Sequence, residues 1–257
     1  MGGVVFHTLP SGRFKCPRPS NLQLLQALCG TAMNLFLQCL KWPGGLPPAS
    51  ELHTPLVAWL DLAAVTVCAI TGVLAARSKQ MDLIGLTVIA VVSALGGGTI
   101  RDVLLGKLPV FWVTEPLGVA AAMVAGWLAF LLSSRVLISP SAFQFPDALG
   151  LALFTVVGAE KSLSSGHGWL VSTLMGVITG VFGGVLRDMI CREVPSVFTR
   201  TELYATASLA GSLAFVICRG TGLAPLYSVI AGLCVVIALR LAAMRWQWKL
   251  PGFSDSL

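Results

Sequence analysis

Few residues in this chain of 257 carry charge, and four of them form a repeated pattern. Gly97, Gly98, Arg101 and Asp102 stand in GGGTIRDVLLGKLP, and Gly183, Gly184, Arg187 and Asp188 stand in FGGVLRDMICREVP, each set inside or just beyond a long apolar run. A charge at the bilayer centre costs about 3 kcal/mol, and a glycine weakens a helix by about 1 kcal/mol relative to alanine. The chemistry open to such a set is electrostatic: it can hold an ion pair within a membrane or line a polar path through it. Covalent chemistry is not indicated. His7, His53 and His167 are scattered, no Ser-His-Asp order, P-loop or dinucleotide fingerprint is present, and the seven cysteines form no Cys-x-x-Cys pair. No enzymatic activity, cofactor or metal site is expected.

The two motifs are separated by a constant offset (183 − 97 = 86) that also carries Arg101 onto Arg187, Pro109 onto Pro195, Asp61 onto Asp147 and Gly72 onto Gly158. The chain is therefore internally duplicated. Its composition, 56% hydrophobic and 11% charged, and its mean hydropathy of +0.85 lie far from a soluble domain's. The apolar residues fall into seven runs: Pro55 to Ala76, Leu83 to Leu105, Pro116 to Ser133, Phe145 to Glu160, Trp169 to Ile190, Glu202 to Cys218 and Ala224 to Ala243. Runs of this length suit helices that cross about 30 Å of hydrocarbon. The expected fold is an all-α integral membrane protein of seven transmembrane helices.

The offset lays runs one to three over runs four to six. Three is odd, so the second copy enters the membrane from the opposite side, and the repeats have inverted topology. The expected organisation is a first three-helix repeat over 55–135, a second over 140–220, a seventh helix over 224–243 and a cytoplasmic tail over 244–257. Residues 1–54 read as a disordered or interfacial extension, with a processed start or an eighth span as the other readings. Nine basic residues (Arg77, Lys79, Arg135, Arg187, Arg192, Arg200, Arg240, Arg245, Lys249) stand on the side of the C-terminus, against Arg101, Lys107, Lys161 and Arg219 on the other. This excess favours a cytoplasmic C-terminus and a multi-pass protein of the cell membrane. The net charge of +6 suits such a basic face and needs no nucleic-acid partner.

Each polar feature has two readings. Ala90, Ala94 and Gly98, with their counterparts Gly176, Gly180 and Gly184, form a small-residue stripe that lets helices pack closely. The adjacent Gly97 and Gly183 lie beside the stripe and suggest a kink that exposes carbonyl oxygens to a cation or to water. Neighbours on a helix point about 100° apart, so the expected ion pairs cross between repeats, Arg101 to Asp188 and Arg187 to Asp102. The other reading has all four residues snorkelling at the interface. Asp61 and Asp147 open the first and fourth helices, either as caps or as a cation-attracting mouth. Glu160 and Lys161 have no counterparts, since Leu74 and Ala75 occupy those places.

The twin Gly-Gly-x-x-Arg-Asp runs in a three-plus-three-plus-one plan resemble the prokaryotic branch of the trimeric intracellular cation channel family over residues 55 to 245. The resemblance implies a homotrimer in the lipid bilayer, each protomer with its own pore for monovalent cations such as potassium, lined by glycine-kinked helices two and five. Its implied site is Gly97, Gly98, Gly183 and Gly184 with Arg101, Asp102, Arg187 and Asp188. The alternative is a secondary transporter of a small solute such as the amino acid glycine, since inverted repeats with broken helices serve transporters equally well.

Overall fold

A computed structural model describes residues 55–79, 81–133, 143–198 and 203–248. The extension over 1–54 and the tail beyond 248 lie outside the described residues. Among the described residues lie seven long helices: α1 Pro55–Ala76, α2 Leu83–Leu104, α3 Leu117–Ser133, α4 Gln144–Leu163, α5 Trp169–Ile190, α6 Tyr204–Gly220 and α7 Pro225–Trp246. They follow the expected runs closely, because the hydrocarbon thickness that sets the length of an apolar run also sets the helix it must form. A one-turn helix, Phe111–Thr114, lies between α2 and α3 and has no signal in the hydropathy. Four helices, α1, α2, α5 and α7, are long and apolar enough to cross a membrane. Helices α3 and α6 have 17 residues each, and α4 carries Asp147, Glu160 and Lys161.

Helix ends repeat with the sequence. After α2, Lys107 N donates to Asp102 O at 2.8 Å, and after α5, Glu193 N donates to Asp188 O at 2.9 Å. The left-handed turn that permits this falls on Gly106 (φ 66°) in the first copy and on Arg192 (φ 56°) in the second. At its other end α2 is capped by Asp82, whose Oδ1 accepts from Gly85 N at 2.7 Å.

Packing is built on small residues. Ala64, Ala69, Ala90, Ala94, Ala122 and Ala125 are buried where α1, α2 and α3 meet, and in lipid such residues let dispersion contacts replace the hydrophobic drive that is missing there. Glycine contacts obey the 86-residue offset. Gly72 faces Ser93 and Ile89 O, and Gly158 faces Thr179 and Met175 O. Gly126 faces Ala90, and its counterpart Ser212 faces Gly176, so the small member of the pair has changed sides. Gly180 lies on Thr155 and Leu151 O of α4.

Helices α2 and α5 cross at the centre. A Cβ on Gly97 would strike Thr179 O, and one on Gly183 would lie 2.6 Å from Ser93 O, so each backbone occupies the space of the other's missing side chain. Residues 93 and 97 of one helix meet 183 and 179 of the other, which makes them antiparallel, as inverted repeats require. Both helices continue as α-helix through their glycines. The helices are thus unbroken at these positions, where glycine permits the approach of two backbones. Gly98 and Gly184 serve a different neighbour, since a Cβ there would lie 2.6 Å from the Phe111 ring and 2.8 Å from the Tyr204 hydroxyl.

Gly97→Ala and Gly183→Ala are expected to destabilise the protein by about 2 kcal/mol each, the usual cost of overpacking. Gly118→Ala, whose Cβ would meet only Phe111 and Leu95 at 3.8 and 3.9 Å, should be neutral. Thermal unfolding in detergent checks all three, and equal melting temperatures would refute the close-crossing account.

Candidate functional site

On either side of the crossing lies a cluster of buried charge. Both contain an Arg-Asp pair from the last turns of a central helix. Arg187 donates from Nε to Asp188 Oδ1 at 2.9 Å and from Nη1 to Asp147 Oδ1 at 2.7 Å. Arg240 of α7 lies 3.6 Å from Asp147 Oδ2, and its guanidinium stands 4.7 Å from the centre of the Tyr204 ring. The ring of Phe143 covers Arg187 at 4.8 Å. Asp188 Oδ2 accepts from Ser196 N at 3.0 Å, which fastens the segment after α5.

At the other end, Arg101 donates from Nε to Asp102 Oδ1 at 2.8 Å, and Asp102 Oδ2 accepts from Phe111 N at 3.0 Å. Lys161 is paired with Asp61 Oδ2, and Glu160 lies 3.3 Å from Arg219 Nε. The Phe111 ring has Arg101 at 5.5 Å and Lys161 at 5.3 Å from its centre, two cations on one aromatic ring. Lys107 Nζ reaches Lys161 O at 3.4 Å. Partial desolvation, reinforced by the Arg101 charge, lowers the Lys107 pKa below the ordinary lysine value although the side chain is exposed. Helix α4 carries Asp147 in one cluster and Lys161 in the other, which puts the clusters about 20 Å apart along its axis.

This geometry corrects three expectations. Arg101 and Arg187 pair with their own neighbours, Asp102 and Asp188, and the crossing pairs do not form. Antiparallel helices leave the crossing in opposite directions, so Arg101 and Asp188 are separated by about thirteen residues of rise, roughly 20 Å. Neighbours diverge at Cβ, yet an arginine is long enough to fold back over a carboxylate that the following segment holds in place. The snorkelling reading fails as well, since Arg101 is 0% and Arg187 2% exposed within the protein. Asp61 stands well inside α1 and Asp147 in the first turn of α4, and both carboxylates take side-chain cations where helix amides were expected. A buried carboxylate needs a countercharge more than a helix end needs a cap.

The halves are unequal at one point. The counterpart of the Arg187–Asp147 bond would be Arg101–Asp61, and it is not made: Arg101 Nη1 and Asp61 Oδ1 are both buried without a hydrogen-bond partner. A cavity of about 200 Å³ lies against Arg101, Asp102, Lys107, Phe111, Glu160 and Lys161, and a second of about 390 Å³ against Asp61, Phe111, Glu115 and Lys161. Toward the other cluster a space of about 10 Å³ is bordered by Thr71, Ser93, Gly183, Arg187 and Tyr204, room for about one water. Sequence reading missed Arg240, Phe111 and Tyr204. Arg240 could have been found, being a charge within the last apolar run; the two rings show no signal until the chain is folded.

An antiparallel crossing of two duplicated three-helix units, with a buried Arg-Asp pair beyond each glycine, defines a class of inverted-repeat, multi-pass membrane proteins. A family profile described as Glycine transporter matches residues 58–134 and again 144–220, two copies at the same offset. The chain is 43% identical over 202 residues to the UPF0126 inner membrane protein YadS of Escherichia coli K12, covering 77% of this chain and 97% of that one. It is 35% identical over 236 residues to a UPF0126 membrane protein of Vibrio cholerae, covering 91% and 96%. Among solved structures, the TRIC trimeric intracellular cation channel orthologue from Rhodobacter sphaeroides superposes with a TM-score of 0.73 at 36% identity, covering 76% of this chain and all of that one. A second TRIC cation channel structure gives 0.70 at 30% identity, covering 78% and 98%. The chain belongs to the UPF0126 family, the prokaryotic branch of the trimeric intracellular cation channel family.

Asp147→Asn leaves Arg187 and Arg240 buried against a neutral group and is expected to cost about 3 to 5 kcal/mol. Glu193→Gln removes only the exposed Lys79–Glu193 pair and should leave the melting temperature nearly unchanged. Similar losses in both variants would remove the distinction drawn here.

Proposed function

We propose that this protein is a cation channel permeable to monovalent cations such as potassium, with one pore in each protomer of a homotrimer. The observation that carries the reading is the crossing itself, where Ser93 Oγ is buried without a hydrogen-bond partner and backbones of both repeats meet between two charged clusters. The path would enter by the cavities around Asp61 and Lys161, pass the crossing of α2 and α5, and leave by the narrow space at Arg187 and Tyr204. With about 10 Å³ there, the described conformation is closed, and conduction requires the two glycine faces to separate. Gly97, Gly98, Gly183 and Gly184 act as the gate surfaces, Asp61 attracts the cation through its unpartnered Oδ1, and the Arg-Asp pairs hold the ends of the moving helices. The bundle spans the membrane seven times, with the C-terminus cytoplasmic by its excess of basic residues. Likeness to TRIC cation channel structures at 30% and 36% identity supports this reading.

A second reading, a secondary transporter of glycine, is favoured by the description of the matching family profile. Purified protein in potassium-loaded liposomes separates the two. A channel develops a diffusion potential that drives uptake of a cationic dye without any solute gradient; glycine counterflow without conductance would overturn the proposal. Ser93→Ala should lower potassium flux about fivefold, the equivalent of roughly 1 kcal/mol for one hydrogen bond to a passing ion or its water, with an unchanged melting temperature.

A further inference from the structure

Ion pairing at the Arg101 end is incomplete. Arg101 is matched by Asp102, Lys161 by Asp61 and Arg219 by Glu160. Lys107 has no carboxylate within ion-pair distance among the described residues, and Glu115, the remaining acidic residue at this end, borders the neighbouring cavity of about 390 Å³. The Lys107 ammonium borders the same cavity of about 200 Å³ as Arg101, whose Nη1 is buried and without an acceptor although Arg101 is 0% exposed. A guanidinium nitrogen desolvated to this degree forfeits about 1 to 3 kcal/mol, more for a charged group, unless an acceptor reaches it. In the second repeat that acceptor is Asp147, whose counterpart Asp61 is instead drawn to Lys161. Lys161 has no equivalent in the first repeat, where Ala75 stands. The vacated acceptor position at Arg101 is therefore specific to this half of the protein.

We propose that the cavity bordered by Arg101, Lys107 and Ser164 is a binding site for one small carboxylate, which takes at Arg101 Nη1 the place that Asp147 takes at Arg187. A monocarboxylate supplies the missing acceptor, pairs with the Lys107 ammonium and fits a space of this size. Bound there, it offsets the Lys107 charge beside the cation entrance, so the site acts as a ligand-dependent control of the proposed channel. The carboxylate can come from a simple acid or from a free amino acid, whose ammonium would find Asp61 Oδ1, also buried without a partner.

The test is binding to the purified full chain in detergent, so it does not depend on whether the protein conducts. Sodium acetate, titrated against sodium chloride at equal ionic strength, should raise the melting temperature saturably. In Lys107→Gln, a change at an exposed side chain that should fold as the parent does, the acetate midpoint should move up about tenfold, one decade of dissociation constant. Glycine is titrated in parallel. Equal midpoints for glycine and acetate mean that the carboxylate alone is read; a glycine midpoint tenfold lower than that of acetate, lost in Asp61→Asn, assigns the site to an amino acid. Either result supports a carboxylate site. Acetate no better than chloride, or a Lys107→Gln midpoint equal to the parent's, would overturn it.

Discussion

Everything in this bundle depends on two backbones touching. At Gly97 and Gly183 there is no room for a single methyl group, because the carbonyls of Thr179 and Ser93 already fill it. That approach fixes α2 against α5, and the remaining helices are placed by what these two leave exposed: α3 and α6 on the small-residue stripes, α1 and α4 on the faces beside Ser93 and Thr179. It also brings polar main-chain atoms of both repeats together in the middle of an apolar protein. The same contact therefore determines the packing and concentrates the polarity on which the functional reading rests. Charges could be accommodated nearby only because the helices part again within two turns, giving space for Arg101 and Arg187 to turn onto their own aspartates.

The helices and their duplication were legible in the sequence because both are governed by strict, one-dimensional rules. Hydrocarbon thickness limits a run at both ends, and a glycine required by backbone contact cannot drift to another residue, so the offset persisted at those positions. Partner choice was less legible. The direction of the Arg101 pair follows from inverted topology, once antiparallel helices are seen to carry Arg101 and Asp188 apart; the rule that helical neighbours do not face each other was misleading, since it holds for short side chains and not for an arginine reaching back. Phe111 and Tyr204 lie at unrelated positions in the two copies, one in a connecting turn and one opening α6, and both come to cover a glycine. No offset could reveal a ring that reaches an equivalent place by a different route.

The departures from symmetry are as informative as the symmetry. Asp147 is held by Arg187 and by Arg240 from the seventh helix, whereas Asp61 is held by Lys161 from the other repeat. The two ends of the bundle thus meet the same problem, a buried carboxylate, with cations of different origin and different reach. A single lysine leaves its partner's second oxygen and a guanidinium nitrogen unoccupied; the two arginines at the other end leave neither aspartate oxygen without a cation.

An antiparallel pair of identical three-helix chains would have two indistinguishable ends, and it would make no difference which way up the pair entered a bilayer. Lys161 and Arg240 remove that indifference. Each lies on one end only, so the fused chain has a top and a bottom that differ in charge, and its insertion must be directed: a molecule placed upside down would present a different mouth to each compartment.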